Sequence, residues 1–431
     1  MPSRPFCQNS IDATSSLPDV STLRATAHLS GCTNPVRLYG RLVERDLATG
    51  SWNSIDERGV YVPCKNRRAS VCEPCSKTYQ GDAFQLIRAG LQGGKGVPSE
   101  VAERPALFVT LTAPSFGAVH GTAARCRPRR GSATCAHGQQ IACWERHRDE
   151  DPLVGQPLCK SCFDYEGAVL WNGSASELFR RTRVTLERIV AGRRARSKKG
   201  VRVQYVKVAE FQRRGLVHFH MVMRYDGDES AASSLEDAIR QAVRTTAFHL
   251  PNGRRIAWGS QVDIRDVAPD NESAESASLN RGQIAGYLAK YATKDTESLG
   301  TLNRRVSIDD VSYLRVSPHV RELVRTALTI AKDHRTSGPG NTDMRLDAWA
   351  HQFGFRGHFL TKSLKWSTTF AALRQARSEH RRQLCKDSWA ALRPETRHQI
   401  EARWNYVGRG YRSIDEHRAA EMHRRRPAIA A

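Results

Sequence analysis

The 431-residue sequence predicts an α+β fold built on a central antiparallel sheet. Two β-rich runs, VRVQYVKVAEFQ (201–212) and GLVHFHMVMR (215–224), meet at a tight Arg-Arg-Gly turn, the pattern of a hairpin. Strand-like and helix-like stretches are mixed through short connections between residues 103 and 300. Nine of the eleven cysteines crowd into residues 32–162, in stretches without long apolar runs, which favours metal ligation as the source of cohesion there.

Taken in order, residues 1–30 are rich in Ser, Thr and Pro without periodicity and predict a flexible tail. Residues 31–102 predict a zinc-ribbon-like module of short strands and turns, PVRLYGRLVERDLATG then GVYVPCKNRRASVCEPCSKTY, followed by the helix TYQGDAFQLIRAGLQGG, which stops at its glycines. Residues 103–300 predict the main α+β domain, opening on the central strand ALFVTLT and a Pro/Gly turn. A Cys/His-rich segment, 118–165, interrupts it as an insertion. The helix SASELFRRTRVTLERIVAG, the basic loop RRARSKKG, the hairpin, the helix SLEDAIRQAVRTTAFH, the alternating strand GSQVDIRDV and the helix RGQIAGYLAKYATKD complete it. Residues 301–431 predict a basic, mostly helical region; residues 351–431 alone hold 17 Lys and Arg against 7 Asp and Glu. No solenoid-type repeat is present.

The formal net charge is +23, an excess that folding does not require but that draws a polyanion at long range: nucleic acid first, a membrane surface second. No apolar stretch is long enough to span a bilayer, and the N-terminus lacks the apolar core of a secretory signal, so a soluble, cytoplasmic protein is expected, with no membrane partner. In that reducing compartment cysteines read as metal ligands rather than disulfides.

Cys64, Cys72 and Cys75 need a fourth ligand, and Cys32 is the other cysteine near them; four thiolates make a closed, structural Zn²⁺ site. The insertion offers Cys126, Cys135, His137, Cys143, His147, Cys159 and Cys162. Seven candidates exceed one tetrahedral site and fall one short of two, so their assignment is open, with the CxxC pair of Cys159 and Cys162 the clearest and the histidines also readable as exposed loop residues. Cys7 and Cys385 stand apart. Arg67 and Arg68, Arg129 and Arg130, and the loop residues Arg193, Arg194, Arg196, Lys198 and Lys199 suit phosphate contacts, although any such run is also a solvated face.

His218 and His220 are two apart in a strand, so both imidazoles lie on one face, opposite Phe219, Met221 and Met223. Across the turn Glu210 can face them, with Gln212 as a substitute. Two imidazoles and one carboxylate leave positions open on an ion for substrate oxygens and water. The plainer alternative is a pair of hydrogen-bonded strand histidines beside a solvated carboxylate. Tyr287 and Tyr291 are four apart, stacking on one helix face, each followed three residues later by a lysine, Lys290 and Lys294. A phenolate attacks a phosphodiester when a cation neutralises the developing charge; two aromatics at that spacing also make ordinary core packing.

The order ALFVTLT, VHFH, YLAKYATK resembles the three motifs of HUH endonucleases, the rolling-circle replication initiators, and the doubled YxxK resembles their two-tyrosine group. Together with GCTNPVRL, CKNRRASVCEPCSKTY, GQPLCKSCFDY and WAHQFGFRGHFLTKS, these motifs are similar to initiators of actinobacterial plasmids and integrative elements, from residue 30 to 370. The resemblance implies a ferredoxin/RRM-like HUH domain in which His218, His220 and Glu210 hold Mg²⁺ or Mn²⁺. It implies that Tyr291 or Tyr287 attacks single-stranded origin DNA, leaving a 5′-phosphotyrosine and a free 3′-OH, with Lys290 and Lys294 stabilising phosphate or phenolate. Thr110 and Thr112 fall in the first motif, with a structural role. Implied partners are double-stranded origin DNA for recognition, a host helicase, since no Walker A pattern is present, and a DNA polymerase. A two-tyrosine transposase and a non-catalytic zinc-stabilised DNA-binding regulator are the competing readings.

Overall fold

The structure, a computed structural model, describes residues 29–46, 49–122, 126, 134–191, 203–227, 235–268, 279–294, 299, 304–336, 344–390 and 398–425. Arg129, Arg130, the basic loop 193–200, Cys7 and nearly all of the 1–30 tail lie outside them. In chain order the elements are β1 (Val36–Asp46), β2 (Trp52–Val62), α1 (Glu73–Gln92), β3 (Ala106–Leu111), α2 (Tyr165–Ala191), β4 (Val203–Phe211), β5 (Val217–Tyr225), α3 (Leu235–Thr245), β6 (Ala247–His249), β7 (Arg255–Ala257), β8 (Val262–Ala268), β9 (Leu279–Asn280), α4 (Arg281–Thr293), α5 (Pro318–Thr336), α6 (Leu346–Trp349), β10 (Leu360–Lys362), α7 (Phe370–Ala390), β11 (His398–Arg409) and α8 (Ile414–Arg425).

The chain forms two compact units, one from residues 87–367 and the other from residues 1–86 with 368–431. The first is organised by a six-stranded sheet of order β10-β4-β5-β3-β8-β9, antiparallel except where β8 meets β9. Alternation along β3 and β5 gives the sheet two chemically distinct faces. Leu107, Val109, Leu111, Phe219, Met221 and Met223 point into one core with Trp171, Leu178 and Phe179 of α2. Each such side chain, removed from water, stabilises the unit by about 2 kcal/mol. On α3, Leu235, Ala238, Ile239, Ala242 and Val243 are the buried residues, the 3.6-residue period of an amphipathic helix. The other face carries Phe108, Thr110, His218 and His220, and α4 packs beside β4 on that side.

Asn172 of α2 is fully buried and ties the hairpin to the core. Its amide donates to the carbonyls of Gly215 and Phe353 at 2.9 and 3.1 Å, and its oxygen accepts from Val217 N at 3.0 Å. A buried amide with every visible group paired costs little to bury and fixes one register.

In the other unit β1 pairs with both β2 and β11, all antiparallel. Gly40 is required at the crossing of β1 and β11: a Cβ there would stand 1.8 Å from the Arg403 carbonyl oxygen. Asp82 of α1, nearly fully buried, takes a bidentate Arg377 guanidinium from α7, and Tyr79 stacks on Phe370 at 4.9 Å between centroids. β11 lies in a stretch expected to be mostly helical. Ile400, Ala402, Trp404 and Tyr406 alternate there with polar residues, a period of two that the surrounding basic helices disguise. Among the described residues no helix is long and apolar enough to cross a membrane.

Candidate active site and metal clusters

The register of the β4–β5 hairpin sets Glu210 opposite His218 and Val208 opposite His220, which puts the carboxylate and both imidazoles on one face. Glu210 Oε2 lies 3.1 Å from His218 Nε2 and 3.3 Å from His220 Nε2. One ligand atom from each of the three lies within 4.8 Å of the others, close enough to share an ion. Thr110, on β3 directly across from His220, places its hydroxyl 3.0 Å from His220 Nδ1 and so fixes the ring with Nε2 toward the cluster. Burial alone would raise the Glu210 carboxyl, but its contacts with His218 and His220 pull it down to about 2, so it is ionised at neutral pH. Burial lowers the His218 imidazole, which keeps it neutral with a lone pair available to an ion. Gln212, the alternative donor, turns away: its Oε1 accepts from Arg214 Nε at 2.9 Å.

α4 begins with a capping box, in which Asn280 accepts from Gln283 N at 2.7 Å and Gln283 Oε1 accepts from Asn280 N at 3.1 Å. Ile284, Ala285, Leu288, Ala289 and Ala292 bury one side of the helix. That rotation leaves Tyr287 and Tyr291 over the histidines. The Tyr287 hydroxyl is 3.5 Å from His220 Nε2, the two tyrosine rings are 4.4 Å apart between centroids, and both rings lie within 5.6 Å of the His220 ring. Burial raises both phenols above their usual range; the neighbouring Tyr291 adds to this for Tyr287, and the Glu210 charge for Tyr291. Lys294 reaches the same place, with Nζ 3.9 Å from Glu210 Oε1 and 4.5 Å from the Tyr291 ring centroid. Lys290 is exposed on the helix. Phe108, not singled out from the sequence, packs edge-on against Tyr287 at 5.7 Å and in parallel with His220 at 6.0 Å. Thr112 is buried beyond the end of β3, its carbonyl accepting from Gly259 N at 2.8 Å.

Three four-ligand clusters accompany this triad: Cys32, Cys64, Cys72 and Cys75; His120, Cys126, Cys143 and His147; and Cys135, His137, Cys159 and Cys162. All these cysteines are free thiols. The Cys72 and Cys32 sulfurs are 3.7 Å apart. Tetrahedral zinc with Zn–S bonds of about 2.3 Å would set them about 3.8 Å apart. In the insertion His147 Nε2 lies 3.0 Å from His120 Nδ1 and 3.1 Å from Cys143 Sγ, and His137 Nδ1 lies 3.2 Å from Cys162 Sγ. The donor chemistry of all three clusters fits structural zinc.

The family model for the replication initiator protein of pSAM2, RepSA, matches residues 20–425. The chain belongs to this HUH replication-initiator family. A curated relative, a replication initiator protein of Streptomyces ambofaciens, is 37% identical over 411 residues, covering 88% of this chain and 84% of the relative. No solved structure matches.

Within this initiator fold the structure brings together Glu210, His218, His220, Tyr287, Tyr291 and Lys294. It also gathers the Cys and His side chains of the insertion into two groups of four. The eighth candidate donor is His120, six residues before Cys126 and outside any CxxC or CxH spacing; it groups with Cys126, Cys143 and His147, while His137 groups with Cys135, Cys159 and Cys162. The shortfall of one was itself the signal.

Proposed function

We propose that this chain initiates rolling-circle replication by nicking origin DNA through tyrosine transesterification and later rejoining the strand. The observation that carries the reading is the Tyr287 hydroxyl 3.5 Å from His220 Nε2, with Tyr291 one helical turn along and Glu210 and His218 completing a three-donor cluster. A hard divalent ion, Mg²⁺ or Mn²⁺, suits two imidazoles and a carboxylate with open positions, and when bound it polarises the scissile phosphate. The phenol of Tyr287 or Tyr291 loses its proton, its oxygen bonds to phosphorus, the bond from phosphorus to the 3′ oxygen breaks, and that oxygen takes up a proton. The products are a 5′-phosphotyrosine link and a free 3′-OH for a polymerase; the reverse step rejoins the strand. Both phenols are raised by burial, so the resting site holds them neutral and attack depends on cationic help at the phosphate. Lys294 is placed to supply part of that charge, and exposed Lys290 is available to the DNA backbone. The second tyrosine suits cleavage of the regenerated origin.

On this reading the antiparallel sheet with the histidine strand between β3 and β4 serves as a ferredoxin-like HUH domain, the Cys32 cluster as a zinc-ribbon-like module, and the protein acts in the cytoplasm. The net charge of +23 suits double-stranded origin DNA for recognition and single-stranded DNA for cleavage, with the loop Arg193, Arg194, Arg196, Lys198 and Lys199 among the contacts and a host helicase unwinding ahead. The test is incubation with a single-stranded origin oligonucleotide and Mn²⁺ or EDTA. A covalent protein–DNA adduct that needs Mn²⁺ and is lost in the Tyr287→Phe, Tyr291→Phe double variant is the expected result. DNA binding with no adduct from any origin fragment would leave a DNA-binding regulator instead.

A further inference from the structure

The eight ligands of the insertion alternate between its two clusters in pairs. His120 and Cys126 belong to one, Cys135 and His137 to the other, Cys143 and His147 to the first again, and Cys159 and Cys162 to the second. Closing either cluster therefore closes a chain loop that contains a ligand pair of the other, and neither can form as a local knuckle.

The first cluster also reaches the catalytic hairpin. His147, nearly fully buried, presents Nε2 to Cys143 and His120, and its Nδ1 lies 2.6 Å from Asp151 Oδ2. A carboxylate on the second nitrogen is the arrangement that orients a metal-binding imidazole and strengthens it as a donor. Asp151 Oδ1 accepts from Leu153 N at 2.8 Å, and the Asp151 carbonyl accepts from Arg213 Nη1 at 2.9 Å. His120 holds the same loop from its other end: its N donates to the Gln156 carbonyl at 2.9 Å and its carbonyl accepts from Gly155 N at 2.8 Å. Gly155 sits at φ +85°, where a Cβ would stand 2.4 Å from the Arg213 carbonyl carbon, so the loop lies directly on the Arg213 backbone. Arg213 belongs to the turn Gln212–Gly215, closed by Gly215 N donating to Gln212 O at 2.8 Å and Gln212 N to Leu216 O at 2.9 Å. That turn sets the distance between Glu210 on one strand and His218 on the other.

We propose that the insertion binds two zinc ions in interlocked, mutually dependent sites, and that the zinc held by His120, Cys126, Cys143 and His147 acts through Asp151 and Arg213 to position the Glu210, His218, His220 triad. Arg213 is a positioning residue; it touches no reacting atom. The coupling rests on the reading of the triad as a divalent-ion site, whereas the interlock stands without it.

The experiment uses the full chain without DNA, counting zinc by elemental analysis and following Mn²⁺ binding by electron paramagnetic resonance. Wild type is expected to carry three zinc ions, one per four-ligand cluster. Cys143→Ser and Cys162→Ser are each expected to lose two, with the zinc of the Cys32 cluster retained as an internal control. Loss of a single zinc in either variant would overturn the interlock. Arg213→Ala is expected to keep all three zinc ions and its thermal midpoint while Mn²⁺ affinity falls about tenfold. Wild-type Mn²⁺ affinity in this variant would overturn the coupling. Wild-type protein that binds no Mn²⁺ would overturn the triad reading together with the coupling, and the zinc counts would still decide the interlock.

Discussion

The Glu210, His218, His220 cluster and the Cys32, Cys64, Cys72, Cys75 cluster are built from opposite materials. The first sets one carboxylate and two imidazoles on adjacent strands of a rigid sheet, three donors with phenols facing the open side. The second gathers four thiols from turns and a helix start, with Cys32, Cys72 and Cys75 buried, and it closes around whatever it holds. A closed soft-donor site contributes folding free energy; an open, harder one reserves part of the ion for a ligand. The triad is therefore expected to tolerate loss of its ion and the tetrad is not. The sheet holding the triad is stabilised by the Phe219, Met221 and Trp171 core, whereas the buried apolar residue packed at the Cys32 cluster is Leu29, with Tyr61 and Tyr411 partly buried around it.

The largest effects should break that contrast directly. His218→Ala is expected to abolish Mn²⁺-dependent adduct formation, a fall of at least about 10²-fold, while the thermal transition stays in place. Cys72→Ser should do the reverse: one zinc is lost and the transition of the unit containing residues 29–86 disappears or drops by many degrees, because zinc binding there is folding free energy on the order of 10 kcal/mol. Calorimetry beside adduct gels separates the two. A His218→Ala variant that unfolds, or a Cys72→Ser variant with unchanged melting, would show that the clusters do not divide labour this way.

Thr110→Val offers a finer cut. It removes the hydroxyl 3.0 Å from His220 Nδ1 but keeps volume and β-propensity, so the strand should survive and the imidazole lose its orientation. Metal affinity at the triad is expected to fall about tenfold with DNA binding unchanged, readable as a rightward shift of the Mn²⁺ dependence of cleavage at the same plateau. An unchanged Mn²⁺ curve would mean that packing against Phe108 alone holds the ring.

What the sequence disclosed follows the same division. The triad was legible because strand periodicity converts spacing into a face: two residues apart for His218 and His220, and a three-residue turn back to Glu210. Helical spacing did the same for Tyr287 and Tyr291. The insertion was legible only as a count, since its ligands are joined by irregular backbone that has no period, and His120 carries no motif. β11 was hidden for a different reason. Its sheet partner β1 lies some 360 residues away in sequence, as the pairing of Tyr39 with Asn405 illustrates, and only that partner makes sense of its alternation. Phe108 and Thr110 sit in one short strand, and nothing local says that alternate positions there face the Glu210, His218, His220 cluster.

The smallest predicted effect probes the same hairpin from its other side. Lys207 follows the alternation of β4 onto the core face, where it is 4% exposed, with its Nζ 3.6 Å from the Phe219 ring centroid and 5.1 Å from that of Phe179. Burial pulls the amine down to about 7, while the two rings favour its charged form. The unfolded chain keeps this proton up to the ordinary lysine value of 10.5, so above pH 7 the unfolded state binds more protons than the folded one. Stability therefore rises as pH increases from 7 toward 10.5, by at most about 1.4 kcal/mol per pH unit, and this group adds no slope below 7, where both states are protonated. Lys207→Met removes that slope and should raise the thermal midpoint at pH 7 by a few degrees, because a buried amine gives way to an apolar side chain of similar length. Mn²⁺-dependent cleavage should not change, since Lys207 points away from Glu210 on the same strand. A loss of cleavage without a loss of stability would instead mean that the core side of the hairpin takes part in setting the ion site, and the separation of the two faces would fail at the strand that defines it.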